Sequence, residues 1–320
     1  MVEVAGPIFI NRSHWGRIRV AGADRLRFLH NQTTNAFQQL APGQGCETVF
    51  VTSTARTVDL GSAYIDHESV LLMVSPGMAA ELIAWMDRYI FFADKVTLSD
   101  ETDTTFAITL LGTEADRPLT QLQLPLPDGA VCSHLQGTAA TPLGDIPIQV
   151  IRGTGLATPG FTLIGPKAQE KVLQQWLTQQ GIAALTPQQW ESMRVRQGRP
   201  MPGAELTKDD NPLEAGLWHT ISFEKGCYIG QETIARLNTY QGVKKQLWGF
   251  KLGQPVPPDT QLKLEGAVVG KITSVISDDT GVWALGYLRT KAGGEGTVLT
   301  VENTTAQAVS LPLATRGYLS

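Results

Sequence analysis

The sequence predicts an α+β protein of more than one domain, ending in a small all-β barrel or sandwich. Three observations carry this. Between residues 46 and 111 the patterns run strand, strand, helix, strand, strand, the order of an α+β layer and not of a doubly wound parallel sheet. MAAELIAWMDRYIF and KAQEKVLQQWLTQQG place apolar residues at helical spacing. From Lys244 onward short β-patterned runs (KQLWGFKLG, QLKLEG, VVGKITSVISD, WALGYLRT, TVLTV, AQAVSLPL) follow one another through closely spaced turns, so a domain boundary is expected near residue 240.

Each element has a local reason. IFINR and then Ile18 and Val20 read as strands, and Asp24 is placed to cap a helix with Leu26, Leu29 and Phe28 or His30 inward. CETVFVTSTARTVDLGSAYID and SVLLMVSPG are β-rich and separated by DHE, the pattern of antiparallel pairing. In the next helix Leu82, Ile83, Trp85, Met86, Tyr89 and Ile90 can share a broad face, and KVTLSDET and TFAITLLG add two strands. Residues 112 to 147 read as loops with short strands, and IPIQVIRGTGLATPGFTLIG returns to strand. Gly181 closes the helix that starts near Lys167, while Thr186 as cap and Pro187 at the first turn open another that ends near Gly198.

The 320 residues are 42% hydrophobic and 18% charged, with a net charge of −4. That balance fits a soluble globular protein and offers no broad basic field for gripping nucleic acid directly. The N-terminal stretch lacks the plan of a secretory signal, and no run reaches the ~18 apolar residues of a membrane span, so a cytoplasmic protein without a membrane partner is expected. Cys46, Cys132 and Cys227 lie far apart, and the five histidines form no HxH or HxxxH pair. A disulfide framework and a metal site held by this chain alone are therefore not expected.

The segment EKGCYIGQETIARL, residues 224–237, singles out one thiol. Cys227 has no apolar residue beside it; Lys225, two glycines and a following helix start surround it, a setting that favours an accessible thiolate over a packed side chain. Filling a tight turn is the structural alternative.

Taken in order, VAGADRLRFLHNQTTN, FVTSTARTVDL, MRVRQGRP, NPLEAGL, KGCYIGQETIAR and VGKITS resemble the YgfZ-type folate-binding proteins, relatives of the glycine cleavage T-protein aminomethyltransferase. KGCYIGQE is similar to the YgfZ hallmark KGCYxGQE; the related T-protein segment usually lacks the cysteine. The resemblance implies a T-protein-like cloverleaf of three domains around a central hole holding tetrahydrofolate or a derivative. It divides the chain into a discontinuous α+β first domain (1–45 plus 143–240), a ferredoxin-like second (46–142) and a C-terminal β-barrel (241–320). It also implies an accessory role in assembling or repairing iron–sulfur enzymes, including those that thiomethylate tRNA, with iron–sulfur enzymes or assembly proteins as partners. The alternative is a tetrahydrofolate-dependent one-carbon transferase of the T-protein type, an aminomethyltransferase or demethylase.

The residues expected to matter follow from both readings. Cys227 is the functional thiol, and Gln32, Asn35, Asp59, Lys225, Tyr228, Gln231 and Arg236 are the candidates for holding folate. Gln32 to Asn35 form an uncharged polar run that either lines a pocket or ends a helix. Asp59 is either a site carboxylate or an exposed strand residue. Asp24 and Arg25 read equally as cap and salt link or as ligand contacts. Arg236, Lys244 and Lys245 suit a folate glutamate tail or an anionic partner, though a solvated strand edge fits the lysines slightly better. Two departures from T-proteins stand out. Where those read GGILDDL, this chain keeps Asp59 but has Leu60 in place of the second carboxylate; where they read RxEAG, it has Arg196, which donates hydrogen bonds but accepts none. Poor or absent aminomethyl transfer is the expectation.

Overall fold

The computed structural model describes residues 6–142 and 144–319; the first five residues of the N-terminal stretch lie outside them. The chain divides into two compact units, residues 1–48 with 60–187, and residues 49–59 with 188–320.

The first unit holds two sheets. The larger runs β11 (Ala183–Ala184), β1 (Ile8–Asn11), β7 (Thr105–Leu111), β10 (Gly160–Pro166), β9 (Gly144–Arg152), β8 (His134–Thr141), antiparallel except where β11 lies parallel to β1. Alternate residues of its central strands, Phe106, Ile108 and Leu110, then Ile146, Ile148 and Val150, point into one core. That core is covered by α3 (Asp116–Gln121) and α4 (Glu170–Gln179), the latter through Leu173, Trp176 and Leu177. The i, i+3, i+4 spacing puts the three on one helix face, and full burial of each contributes about 1.5–3 kcal/mol.

The second sheet runs β3 (Gly45–Val51), β4 (Thr57–Ile65), β5 (Ser69–Pro76), β2 (Trp15–Ala21), β6 (Thr97–Asp100), with α1 (Arg25–Gln32) and α2 (Met78–Asp87) in the same stretch of chain. Strands β4 and β5 pair antiparallel across the DHE turn, as the sequence predicts. Helix α2 buries Ala79, Leu82, Trp85 and Met86, and α1 buries Phe28, Leu29 and His30. Asp24 stands at the head of α1, but its carboxylate does not cap the helix backbone; it accepts the Lys95 N–H at 2.9 Å and pairs with Arg27 Nη2 at 3.3 Å. Strands β6 and β7, adjacent in sequence, go to different sheets. Mostly exposed β6 pairs along the edge with β2, whereas the apolar run of β7 lies inside the larger sheet.

In the second unit β12 (Lys245–Leu252), β13 (Gln261–Leu264), β14 (Ala267–Asp278), β15 (Gly281–Arg289), β16 (Val298–Val301) and β17 (Thr304–Val309) close into a barrel in the order β12-β15-β14-β13-β16-β17. Phe250, Leu262, Ile272, Leu288 and Val301 fill it. Helix α5 (Pro187–Gln197) packs Val195 on Leu247, Leu285 and Tyr287. Helix α6 (Gln231–Thr239) completes the unit. No helix among the described residues is long and apolar enough to cross a membrane.

Candidate functional site

The KGCYIGQE loop is built against a turn of its own unit. Residues 52–56 close on themselves, with Ala55 N–H donating to Thr52 O and Thr52 N–H to Arg56 O, and Ala55 takes a left-handed φ of 61°. Gly230, at φ +80°, lies so close that an added Cβ would stand 2.7 Å from Thr52 O. Only glycine satisfies both the backbone and the space there. Tyr228 is buried among Ala55, Leu213, Trp218, Ile221, Ile234 and Val243, and burial pushes its hydroxyl up to about 12. Cys227, which lies between Lys225 and these two anchors in the chain, is exposed.

Two expectations about this loop need revision. Gly226 has no neighbour within 4 Å of an added Cβ and no left-handed φ, so of the two glycines only Gly230 is required by geometry. Helix α6 starts at Gln231, capped by Gly230, which leaves Cys227 outside its first turn, where a helix dipole acts most strongly. The ammonium of Lys225 sits 4.4 Å from the centre of the Tyr228 ring, a cation–π contact. Gln231 N–H donates to Tyr228 O at 3.2 Å, and Arg236 is exposed on α6 with no ion pair among the described residues.

Asp59 is wholly buried in β4, which removes the exposed-strand alternative for it. Nearby in sequence, Thr57 N–H donates to Asp210 O at 3.0 Å and Arg56 Nη1 to Asp209 O at 3.2 Å. Asp210 and Glu214 form a buried acidic pair that residue-by-residue reading missed, although both lie in the DNPLEAGL run. Lys245 Nζ is 2.5 Å from Asp210 Oδ1 and 4.7 Å from the Tyr287 ring centre, so it is a half-buried partner and not a solvated edge. Lys244 is exposed. Burial raises the Glu214 carboxyl above the ordinary range, against the lowering pull of Lys245 and of the Asn211 N–H. Such a group holds and releases a proton closer to neutral pH than an exposed glutamate does.

The two T-protein departures have structural partners. Arg196 lies 3.6 Å from Asp278 Oδ2 and stacks 5.0 Å from the Trp283 ring, and Leu60 is buried. Beside it in α5, Arg194 is buried between Glu191 and Glu205. Glu205 also accepts from Thr273 Oγ1 and Ser274 Oγ, each at 2.6 Å.

In the first unit the polar run divides in two. Asn35 Nδ2 donates to Glu47 O at 2.8 Å, Asn35 N–H to Thr48 Oγ1, and Thr33 Oγ1 to Leu29 O, so these residues tie the end of α1 to backbone and to β3. Gln32 Oε1 is buried with no hydrogen-bond partner among the described residues. A buried acceptor left unmatched costs about 1–3 kcal/mol, which makes it a natural place for a ligand donor. Among the described residues no three His, Cys, Asp or Glu side chains gather into a group that could hold a metal ion.

Residues 6–225 match the family described as the GCVT N-terminal domain. The chain belongs to that family. It is 41% identical over 298 residues to an Arabidopsis thaliana protein named "Putative transferase At1g60990, chloroplastic", covering 92% of this chain and 68% of that one. It is 26% identical over 270 residues to the aminomethyltransferase of Halalkalibacterium halodurans, covering 82% of this chain and 72% of the relative. The glycine cleavage system aminomethyltransferase T of Bartonella henselae superposes with a TM-score of 0.84 over 98% of this chain and 87% of its own, at 20% identity. This GCVT-family chain therefore has the aminomethyltransferase fold, with a closed six-stranded barrel where its C-terminal pattern predicts a small barrel or sandwich.

Proposed function

We propose that this family member binds a reduced folate and is of the YgfZ type, with the Cys227 thiol serving the assembly or repair of iron–sulfur enzymes. The observation that carries the reading is the exposure of Cys227 immediately before two anchored residues. Tyr228 is buried, Gly230 is pressed onto the 52–56 turn, and the thiol between Lys225 and these anchors is exposed. A packing cysteine would show the reverse pattern.

Similarity to aminomethyltransferases supports tetrahydrofolate or a derivative as the ligand, which when bound carries the one-carbon unit. Gln32 in the first unit offers an unmatched buried acceptor for a donor group of the ligand, and Asn35, three residues on, is the second candidate there. In the second unit Asp59 offers a buried carboxylate, Arg236 a cation for the glutamate tail, and Lys225, Tyr228 and Gln231 the polar and aromatic groups next to the thiol. Iron–sulfur enzymes, among them those that thiomethylate tRNA, are the proposed clients.

Complementation tests this reading: in a strain lacking its own YgfZ-type protein, the wild-type chain restores tRNA thiomethylation and Cys227→Ala does not. Full rescue by Cys227→Ala would remove the thiol from the function. Calorimetric titration with tetrahydrofolate and its formyl derivative tests the ligand, and no heat with either would remove folate.

Glu214 favours a second reading, a folate-dependent transferase that uses this buried carboxyl for proton transfer. Turnover of tetrahydrofolate with an aminomethyl-carrier protein separates the two. Leu60 and Arg196 lead us to expect little or none.

A further inference from the structure

His134, at the head of β8, faces an acceptor with each ring nitrogen. Nδ1 lies 3.2 Å from Cys132 O. A carbonyl only accepts, so Nδ1 carries a hydrogen whether the ring is neutral or charged. Nε2 lies 3.6 Å from Asp66 Oδ1 and is buried with no hydrogen-bond partner among the described residues. The whole residue is 2% exposed. A neutral His134 therefore turns a buried lone pair toward a carboxylate, two acceptors with no proton between them. A charged His134 has a hydrogen for each.

The groups around the ring leave Asp66 as its only ionic partner. Burial pushes the Asp66 carboxyl up, but His134 and, less strongly, Arg19 carry it below its ordinary value, so it stays ionised. Arg19 Nη1 is 3.6 Å from Asp66 Oδ2 and is shared with Glu101. Tyr64 of β4 packs edge-on, ring centres 5.9 Å apart, and burial keeps its hydroxyl protonated. Across β9 the partner is uncharged Ile151. The Cys132 thiol is buried; Arg25 donates to the backbone carbonyls of Asp66 and His67, not to the carboxylate, and His67 and Glu68 are exposed.

This contact joins the two sheets of the first unit. His134 belongs to the six-stranded sheet, and Asp66 to the turn between β4 and β5 of the five-stranded one. A single backbone bond runs beside it, from His134 N–H to Gly43 O at 2.8 Å. An open cleft of about 600 Å³ lies there, lined from residues 40–45, which lead into β3, and from residues 126–135, which lead into β8. We infer that His134 is a proton-operated tie between the two sheets at this cleft. Charged, it clamps Asp66 to the Cys132 carbonyl; neutral, it gives one proton from Nε2 to water and releases the Asp66 side. The closed arrangement, with an acceptor for both N–H groups, favours the charged ring, so rising pH favours opening. Histidine suits such a switch because its charge changes between about pH 5 and pH 8.

Two magnetic-resonance measurements on the full chain test the tie. Long-range nitrogen spectra of the imidazoles, assigned with His134→Asn, report charge and tautomer between about pH 5 and pH 8. The His134 ring should lose its proton from Nε2 and keep the hydrogen on Nδ1. Hydrogen exchange of the amide at position 134, corrected for the intrinsic effect of pH, reads the opening. Its protection should fall at least ~fivefold across the range, the lower end of ordinary coupling, while that of Phe250 in the barrel stays constant. In Asp66→Asn, and separately in His134→Asn, whose amide replaces Nδ1 alone, protection should not change with pH. A neutral ring with its hydrogen on Nε2, a ring that keeps one charge throughout, equal protection at both ends in the wild type, or the same fall in either variant would overturn the proposal.

Discussion

Replacing Gly230 by alanine tests whether the thiol loop is held where it is by close contact. Two costs add. A residue with a Cβ at φ +80° loses roughly 1–2 kcal/mol relative to its preferred conformations. The new methyl would also stand 2.7 Å from Thr52 O and 3.1 Å from the backbone N and Cα of Ala55, so backbone and not a flexible side chain must move. Overpacking of that kind costs about 1–3 kcal/mol. The sum, about 2–5 kcal/mol, lowers the urea midpoint by roughly 1–2 M at a slope of about 2–3 kcal/mol/M. Gly226→Ala, four residues before Gly230, is the internal control. Nothing lies within 4 Å of its Cβ, so stability is unchanged or raised by about 0.4–1 kcal/mol. The assay is urea unfolding followed by fluorescence, with timed iodoacetamide labelling of Cys227 on the native proteins. If the two substitutions agree within ~0.5 kcal/mol, the ordinary scatter of surface changes, the close packing of the loop on the 52–56 turn is wrong.

Glu214 predicts a pH dependence. Its folded-state carboxyl holds the proton more tightly than the unfolded chain does, so its contribution is full below the ordinary value of 4.5 and is lost as pH rises through the folded value. Urea midpoints of the wild type should decline across that window and those of Glu214→Gln should not; parallel curves would show that Glu214 does not titrate this way. Glu205→Ala leaves Thr273, Ser274 and the Met201 N–H without their acceptor and Arg194 without one of its two carboxylates, an expected loss of about 3–5 kcal/mol. Glu205→Gln, which keeps the shape, should lose less, and equal losses would deny the charge a role. Cys227→Ala should change stability by no more than about 0.5 kcal/mol. Native iodoacetamide should modify Cys227 but reach buried Cys132 only after denaturation; mass spectrometry of the digest reads both.

The parts of the fold legible in sequence are those with local causes. Leu173, Trp176 and Leu177 mark α4 by spacing alone, and the closely spaced turns after Lys244 announce the barrel. What escaped had no local mark. The turn separating β3 from β4 contains neither glycine nor proline, and Ala55 takes a left-handed conformation that nothing in its identity signals. Helix α3 is six residues long and contains Pro118, and β11 is two residues recruited beside β1. The order of β6 and β7 does not say that one is an edge and the other central. At the site, the polar neighbours of Cys227 do indicate its exposure. That Gly230 and not Gly226 is required depends on a turn some 175 residues earlier in the chain. Lys245 reads as a surface lysine until Asp210 is placed against it, and a carboxylate such as Glu214 shows its burial only in three dimensions.

The tip of the β3–β4 hairpin has a consequence for how this protein is made. Val49–Asp59 belongs with a unit whose remaining residues begin at Gln188, and Thr57 bonds Asp210 across 153 positions of chain. A ribosome completes the tip long before it supplies Asp210, Tyr228 or Gly230. At ~5–20 residues per second that interval is roughly 10–30 s. Throughout it Phe50 and Val51, wholly buried in the finished protein, lack their final surroundings, so the nascent chain is a natural client for a holding chaperone. For the same reason a fragment cut at Gln188 carries the barrel but not the strand end that the thiol loop rests on, and the second unit cannot be obtained whole by truncation.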